Sequence, residues 1–128
     1  MADSLRPVAV PNAPTPVGPY SSAMIAGNLV FVSGQSGRDP QTDVVADTIE
    51  AQTEQVLLNI AAILEAAGSN LSRVVRCGVF LTDMTEFTRM NAVYARMFGD
   101  HRPARTTVAV SELPGPGLRV EIDAVALL

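Results

Sequence analysis

A chain of 128 residues, 48 % apolar and 17 % charged, is long enough for one domain with a real core. It is also light enough in charge that part of its surface is expected to be buried between subunits. Nine arginines, no lysine and a net charge of −4 argue against a protein that grips nucleic-acid backbones. No apolar run approaches the ~20 residues of a membrane span. The opening Met1-Ala2-Asp3-Ser4-Leu5-Arg6 lacks a signal-peptide pattern, and a lone cysteine forms no internal disulfide, so the chain reads as soluble and cytoplasmic.

The first twenty residues carry Pro7, Pro11, Pro14, Pro16 and Pro19 and hold no long helix. Val8–Val10 is expected as a short edge strand, where proline is tolerated nearby. Met24–Ala26 and Leu29–Ser33 read as strands around Gly27-Asn28, a pairing suited to a two-residue hairpin. Ser33-Gly34-Gln35-Ser36-Gly37 follows, with glycines that allow close approaches, and Arg38–Asp43 reads as a surface turn. Asp47 and Glu50 fit a capping pair for a first helix whose stripe is Val56, Leu57, Ile60, Ile63, Leu64 and Ala67, ended by Gly68. Arg73–Leu81 is an apolar strand. Thr82–Glu86 opens a second helix that runs to Phe98, with Gly99 closing it.

The last quarter predicts strands Ala104–Val110 and Leu118–Ala126, joined by a wide turn rich in proline and glycine. Side chains alternate along a strand, so Arg105, Thr107 and Ala109 share one face. On the final strand Val120, Ile122, Ala124 and Ala126 form the apolar face, opposite Arg119, Glu121 and Asp123. This alternation is read as placing Arg105, Glu121 and Asp123 together on the non-core face of one sheet. The element order gives an α+β domain over residues 1–128, a mixed sheet with two helices on one face. The other face then meets water or another subunit.

Arg105 suits bidentate capture of a small carboxylate, or equally a surface pairing with Glu121 or Glu112. Glu121 could orient or deprotonate a water, or be a plain surface glutamate; Asp123 is the runner-up. Asn91 interrupts the second helix's apolar stripe, and Tyr20 offers a ring and a hydroxyl. Ser33 lacks the glycine a nucleophile elbow needs two residues earlier, where Phe31 stands. Cys77 reads as an inert buried thiol, and with His101 it supplies no zinc site. From the residues alone, the reading stops at a carboxylate-binding pocket with a water-activating glutamate.

Six segments together carry a resemblance. Gly18-Pro19-Tyr20-Ser21, Ser33-Gly34-Gln35, Asp39-Pro40-Gln41-Thr42, Asn91-Ala92-Val93-Tyr94, Arg102-Pro103-Ala104-Arg105 and Val120–Ala126 resemble the RidA/YjgF family, in order along essentially the whole chain. The resemblance implies a chorismate-mutase-like fold with a six-stranded sheet, assembled as a homotrimer with clefts between subunits. It implies hydrolysis of small 2-imino or 2-enamino acids, such as 2-aminoacrylate, 2-iminopropanoate and 2-iminobutanoate, to 2-oxo acids and ammonia, with no metal and no cofactor. By the same resemblance Arg105 clamps the substrate carboxylate and Glu121 holds the attacking water. Tyr20, Ser33, Gly34, Asn91 and Thr107 then line the pocket. Two departures stand out: Thr107 where many members have cysteine, and Ser36, followed by Gly37, where a large apolar residue is common.

The expected activity is therefore a 2-iminobutanoate/2-iminopropanoate deaminase. Its rivals are a deaminase of a larger enamine such as 2-aminomuconate, an endoribonuclease, and a non-catalytic metabolite-binding or chaperone-like trimer. The acidic balance and absence of lysine count against the ribonuclease.

Overall fold

The computed structural model describes residues 5–11 and 16–128; Met1–Ser4 and part of the proline-rich stretch lie outside it. Six strands, β1 (Leu5–Pro7), β2 (Ala23–Ala26), β3 (Leu29–Ser36), β4 (Val74–Leu81), β5 (Ala104–Ala109) and β6 (Val120–Leu127), form one mixed sheet in the order β1-β2-β3-β6-β4-β5. Helices α1 (Ile49–Ala67) and α2 (Phe87–Phe98) pack on it. This is the expected α+β arrangement.

The chain reaches this order by two crossovers. β3 and β4 both run antiparallel to β6 and so parallel to each other, with α1 between them in sequence. β4 and β5 pair in parallel, joined through α2. Parallel neighbours need such a long return, which a helix supplies.

Local chemistry sets most element ends. Gly27 takes a left-handed φ of 61° in the β2–β3 turn. Thr48, not Asp47, caps α1: its hydroxyl accepts the Ala51 amide at 3.1 Å. Gly68 ends α1 at φ 89°. The second helix begins as a 3₁₀ turn over Met84–Glu86, where the Asp83 carboxylate accepts the Thr85 amide at 2.9 Å.

The core lies between the sheet and α1. Val56, Leu57, Ile60 and Leu64 meet Val30, Val79, Leu81, Val120 and Ile122, all fully buried. At about 1.5–3 kcal/mol per buried aliphatic side chain, this stripe dominates the fold's stabilisation. Cys77 is buried in the same layer.

Beyond the α1 cap, four further expectations shift. The edge strand is Leu5–Pro7, not Val8–Val10; Val8 still donates its amide to the Ala23 carbonyl, and both valines pack against the core. β3 runs three residues past Ser33, with a register irregularity between Val32 and Gln35. β6 starts at Val120 because residues before it bond to a side chain: buried Gln52 accepts the Arg119 amide and donates to the Gly117 carbonyl.

The fourth is the largest. β5 and β6 are not partners; β4 lies between them. Arg105 pairs with Cys77, which pairs with core-facing Ala124. Residues paired across a ladder share a face. Arg105 is therefore on the helix-covered face, whereas Glu121 and Asp123 are on the other. The three charges do not share a face.

Candidate active site

Arg105 projects from edge strand β5 against α2. Its guanidinium carbon sits 4.8 Å from the centre of the Tyr94 ring and 5.6 Å from that of Phe87. Both distances suit cation–π attraction, worth about 0.5–2 kcal/mol according to exposure. Phe87 and Tyr94 are seven residues apart on α2, and Asn91 falls between them at helical spacing, on the same stripe. Among the described residues, Arg105 makes no ion pair or hydrogen bond, and neither does the half-buried Asn91 amide. Two residues along the strand from Arg105, the buried Thr107 hydroxyl is also without a partner. Beneath them, near the Cys77 thiol, the buried Tyr94 hydroxyl is likewise without a hydrogen-bond partner among the described residues. Burial pushes both groups' pKa values up, so thiol and phenol stay protonated near neutral pH. The result is a cation, an amide and a hydroxyl gathered under α2, with bonding capacity unspent among the described residues.

The opposite face carries the complementary group. Glu121, directly across the ladder from Ser36, is half-buried and makes no ion pair or hydrogen bond among the described residues. Burial raises its pKa, and the nearby Asp123 charge raises it further. Asp123 itself accepts the Gly78 amide at 2.8 Å and lies 3.9 Å from Arg76. Glu121, Gly34, Gln35, Ser36 and Tyr20 line a groove of about 410 Å³ at the end of β3. Pro114, Leu118 and the α1 residues Asn59, Ala62 and Ile63 form its other margins.

Gly34 leaves room for this carboxylate. A Cβ at that position would lie 2.7 Å from the Glu121 Oε2 atom. Ser33 stands beside the groove rather than in its lining; its hydroxyl donates to the Ser21 carbonyl at 2.6 Å and so anchors the segment that carries Tyr20. Tyr20 is half-exposed at the rim.

The seven residues singled out from the sequence thus fall into two groups. Arg105, Asn91 and Thr107 gather under α2; Glu121, Gly34 and Tyr20 gather at the end of β3, with Ser33 adjacent. The sequence did not mark Phe87 and Tyr94, on the apolar stripe that Asn91 interrupts, as the seat of Arg105. It also missed Gln52, whose signal was a polar residue inside an apolar helix stripe. No group of three or more His, Cys, Asp or Glu side chains among the described residues is placed to hold a metal ion. No helix there is long and apolar enough to cross a membrane.

Among the described residues, the α+β sheet carries a cation without a polar partner on one face and a carboxylate without one on the other. Residues 10–128 match the endoribonuclease L-PSP family. A RutC family protein of Pyrococcus horikoshii is 53 % identical, covering 90 % of this chain and 91 % of its own. The 2-iminobutanoate/2-iminopropanoate deaminase of Salmonella typhimurium is 39 % identical, covering 95 % and 97 %. The crystal structure of the YjgF gene product of E. coli superposes with a TM-score of 0.90 at 38 % identity, covering 95 % and 98 %. The chain belongs to this family, the RidA/YjgF proteins.

Proposed function

We propose that the protein is a cofactor-independent deaminase of small 2-imino and 2-enamino acids, active as a homotrimer whose sites are shared between copies. One observation carries this reading. Arg105 and Glu121 are half-buried charges without partners among the described residues, and they sit on opposite faces of the same sheet. Leaving a charge half-buried and unpaired is costly. A second copy that sets its Arg105 against this chain's Glu121 groove relieves both and makes one complete site.

In that site Arg105, with Asn91 and the Thr107 hydroxyl, receives the substrate carboxylate. The imine carbon then lies beside a water held by Glu121. A carboxylate with a raised pKa accepts the water's proton as the oxygen adds to the carbon, giving a carbinolamine. Glu121 returns that proton to the imine nitrogen and then relays the carbinolamine's hydroxyl proton to the same nitrogen; the C=O bond forms as the C–N bond breaks, ammonia leaves, and a 2-oxo acid remains. These imines hydrolyse unaided, so positioning and one polarised water supply sufficient acceleration. The name of the Salmonella relative supports this chemistry, and the low charge of the surface supports association.

The test uses imines generated in situ from alanine or 2-aminobutanoate by an amino-acid oxidase, with 2-oxo acid release followed in time. The wild type is expected to accelerate release, and Arg105→Ala and Glu121→Gln each to abolish the effect. Unfolding and refolding the two variants together should recover about a quarter of wild-type activity, since random assembly restores some interfaces with both native halves. No acceleration by the wild type would refute the chemistry; no recovery on mixing would refute the shared site.

A further inference from the structure

The groove is larger than a three- or four-carbon imino acid requires. Its volume is about 410 Å³. Beside apolar walls from Val10, Val17, Ala62, Ile63 and Leu118, the groove carries Ser36, Gln41 and a second arginine, Arg38.

Arg38 is held by its backbone. It forms an isolated bridge with Val45, and the Asn59 amide donates to the carbonyls of both Ser36 and Arg38, at 3.1 and 2.9 Å. Asn59 is fixed in turn by Gln55, one helical turn earlier, whose amide donates to it at 2.9 Å. Two polar side chains of α1 therefore clamp the stretch from Ser36 to Arg38. The guanidinium spends only Nη1, on the Asp43 carbonyl at 3.0 Å and its carboxylate at 3.4 Å. That carboxylate is 83 % exposed, so the pairing is weak and open to exchange. Nε and Nη2 have no partner among the described residues, leaving planar donors for a second anion.

We infer that Arg38, with Ser36 beside it, makes the groove selective for imino acids whose side chain ends in a second carboxylate. This rests on the functional reading above, in which the first carboxylate goes to Arg105. A dicarboxylic substrate would bridge the two arginines across Glu121 and place the imine carbon between them. An alkyl side chain of equal length would leave the Nε and Nη2 donors of Arg38 unmet at the polar end of the groove.

Stable 2-oxo acid products separate the two ideas. By calorimetry, 2-oxoglutarate is expected to bind at least tenfold more tightly than 2-oxopentanoate. Arg38→Leu should level that ratio, and Ser36→Ile should reduce it by adding apolar bulk. Arg105→Ala should weaken both ligands. Equal affinity of the wild type for the two acids, or a ratio unchanged in Arg38→Leu, would overturn the inference. The turnover assay then stands apart: imine turnover without dicarboxylate preference keeps the deaminase and removes this selectivity. Preference without turnover of the imines of glutamate or alanine keeps the binding site and removes the chemistry.

Discussion

Gly34 and Glu121 face each other so closely that the Cβ glycine lacks would stand 2.7 Å from Oε2 and 2.9 Å from the carboxyl carbon. Gly34→Ala must therefore swing the Glu121 side chain aside. The end of a flexible side chain yields, so the fold should survive with a stability change of about 1 kcal/mol or less. Misplacing a catalytic group by an ångström costs up to ~100-fold, and kcat for imine hydrolysis should fall on the order of 10–100-fold. Far-ultraviolet circular dichroism alongside steady-state rates checks both parts.

Arg105→Lys tests the geometry of the cation rather than its charge. Lysine keeps the positive charge but loses the planar fork and the broad overlap with Phe87 and Tyr94. The variant should lose tenfold or more in kcat/KM, mostly through KM, and bind 2-oxo acids correspondingly more weakly. A near-native KM would show that point charge alone suffices at this position.

The pH profile should follow Glu121. Its pKa is raised by burial first and by Asp123 second, so the active carboxylate form is lost as pH falls through a value above the usual glutamate range. Removing the Asp123 charge favours ionised Glu121 and lowers that value. Asp123→Asn should accordingly shift the acid limb of kcat/KM to lower pH, while its amide oxygen can still accept the Gly78 N–H. The linkage to stability runs in the matching direction. A carboxyl with a raised folded-state pKa contributes stability that is full below its unfolded pKa and lost as pH rises through the folded one. Asp123→Asn should narrow that window from above. An acid limb that moves upward or stays fixed would exclude Asp123 as a determinant of the Glu121 titration.

Gln52 should matter to the fold more than to the chemistry. It is fully buried and bonds the Ala46 carbonyl at 2.7 Å, the Gly117 carbonyl at 2.9 Å and the Arg119 amide at 2.8 Å. Gln52→Leu leaves three backbone groups to find other partners. With about 1–3 kcal/mol for each buried group left unpaired, and some recovered by water, a net loss of about 3 kcal/mol is expected. Thermal unfolding at fixed protein concentration should show a Tm lower by on the order of 10 °C.

Much of this protein could be read from its residues in order. The helix stripe from Val56 to Leu64, the Gly68 stop, the Gly27-Asn28 turn and the strand character of Val74–Leu81 all depend on local periodicity and local backbone preference. Such preferences act over a few residues, so the chain carries them wherever those residues end up. The same holds for the caps, where the choice between Asp47 and Thr48 moved the helix start by one residue.

The tertiary structure decided which residues meet. Alternation along β5 and along β6 was legible, and it correctly grouped Arg105 with Thr107 and Glu121 with Asp123. It could not say which face of one strand matches which face of the other, because that depends on pairing partners far away in sequence. β4 lies between β5 and β6, and the chain Arg105–Cys77–Ala124 of ladder partners sends Arg105 to the helix face. Strand pairing has a period of two, so one discrete choice of register settles a side chain's face entirely. That choice separates Arg105 from Glu121 within one chain.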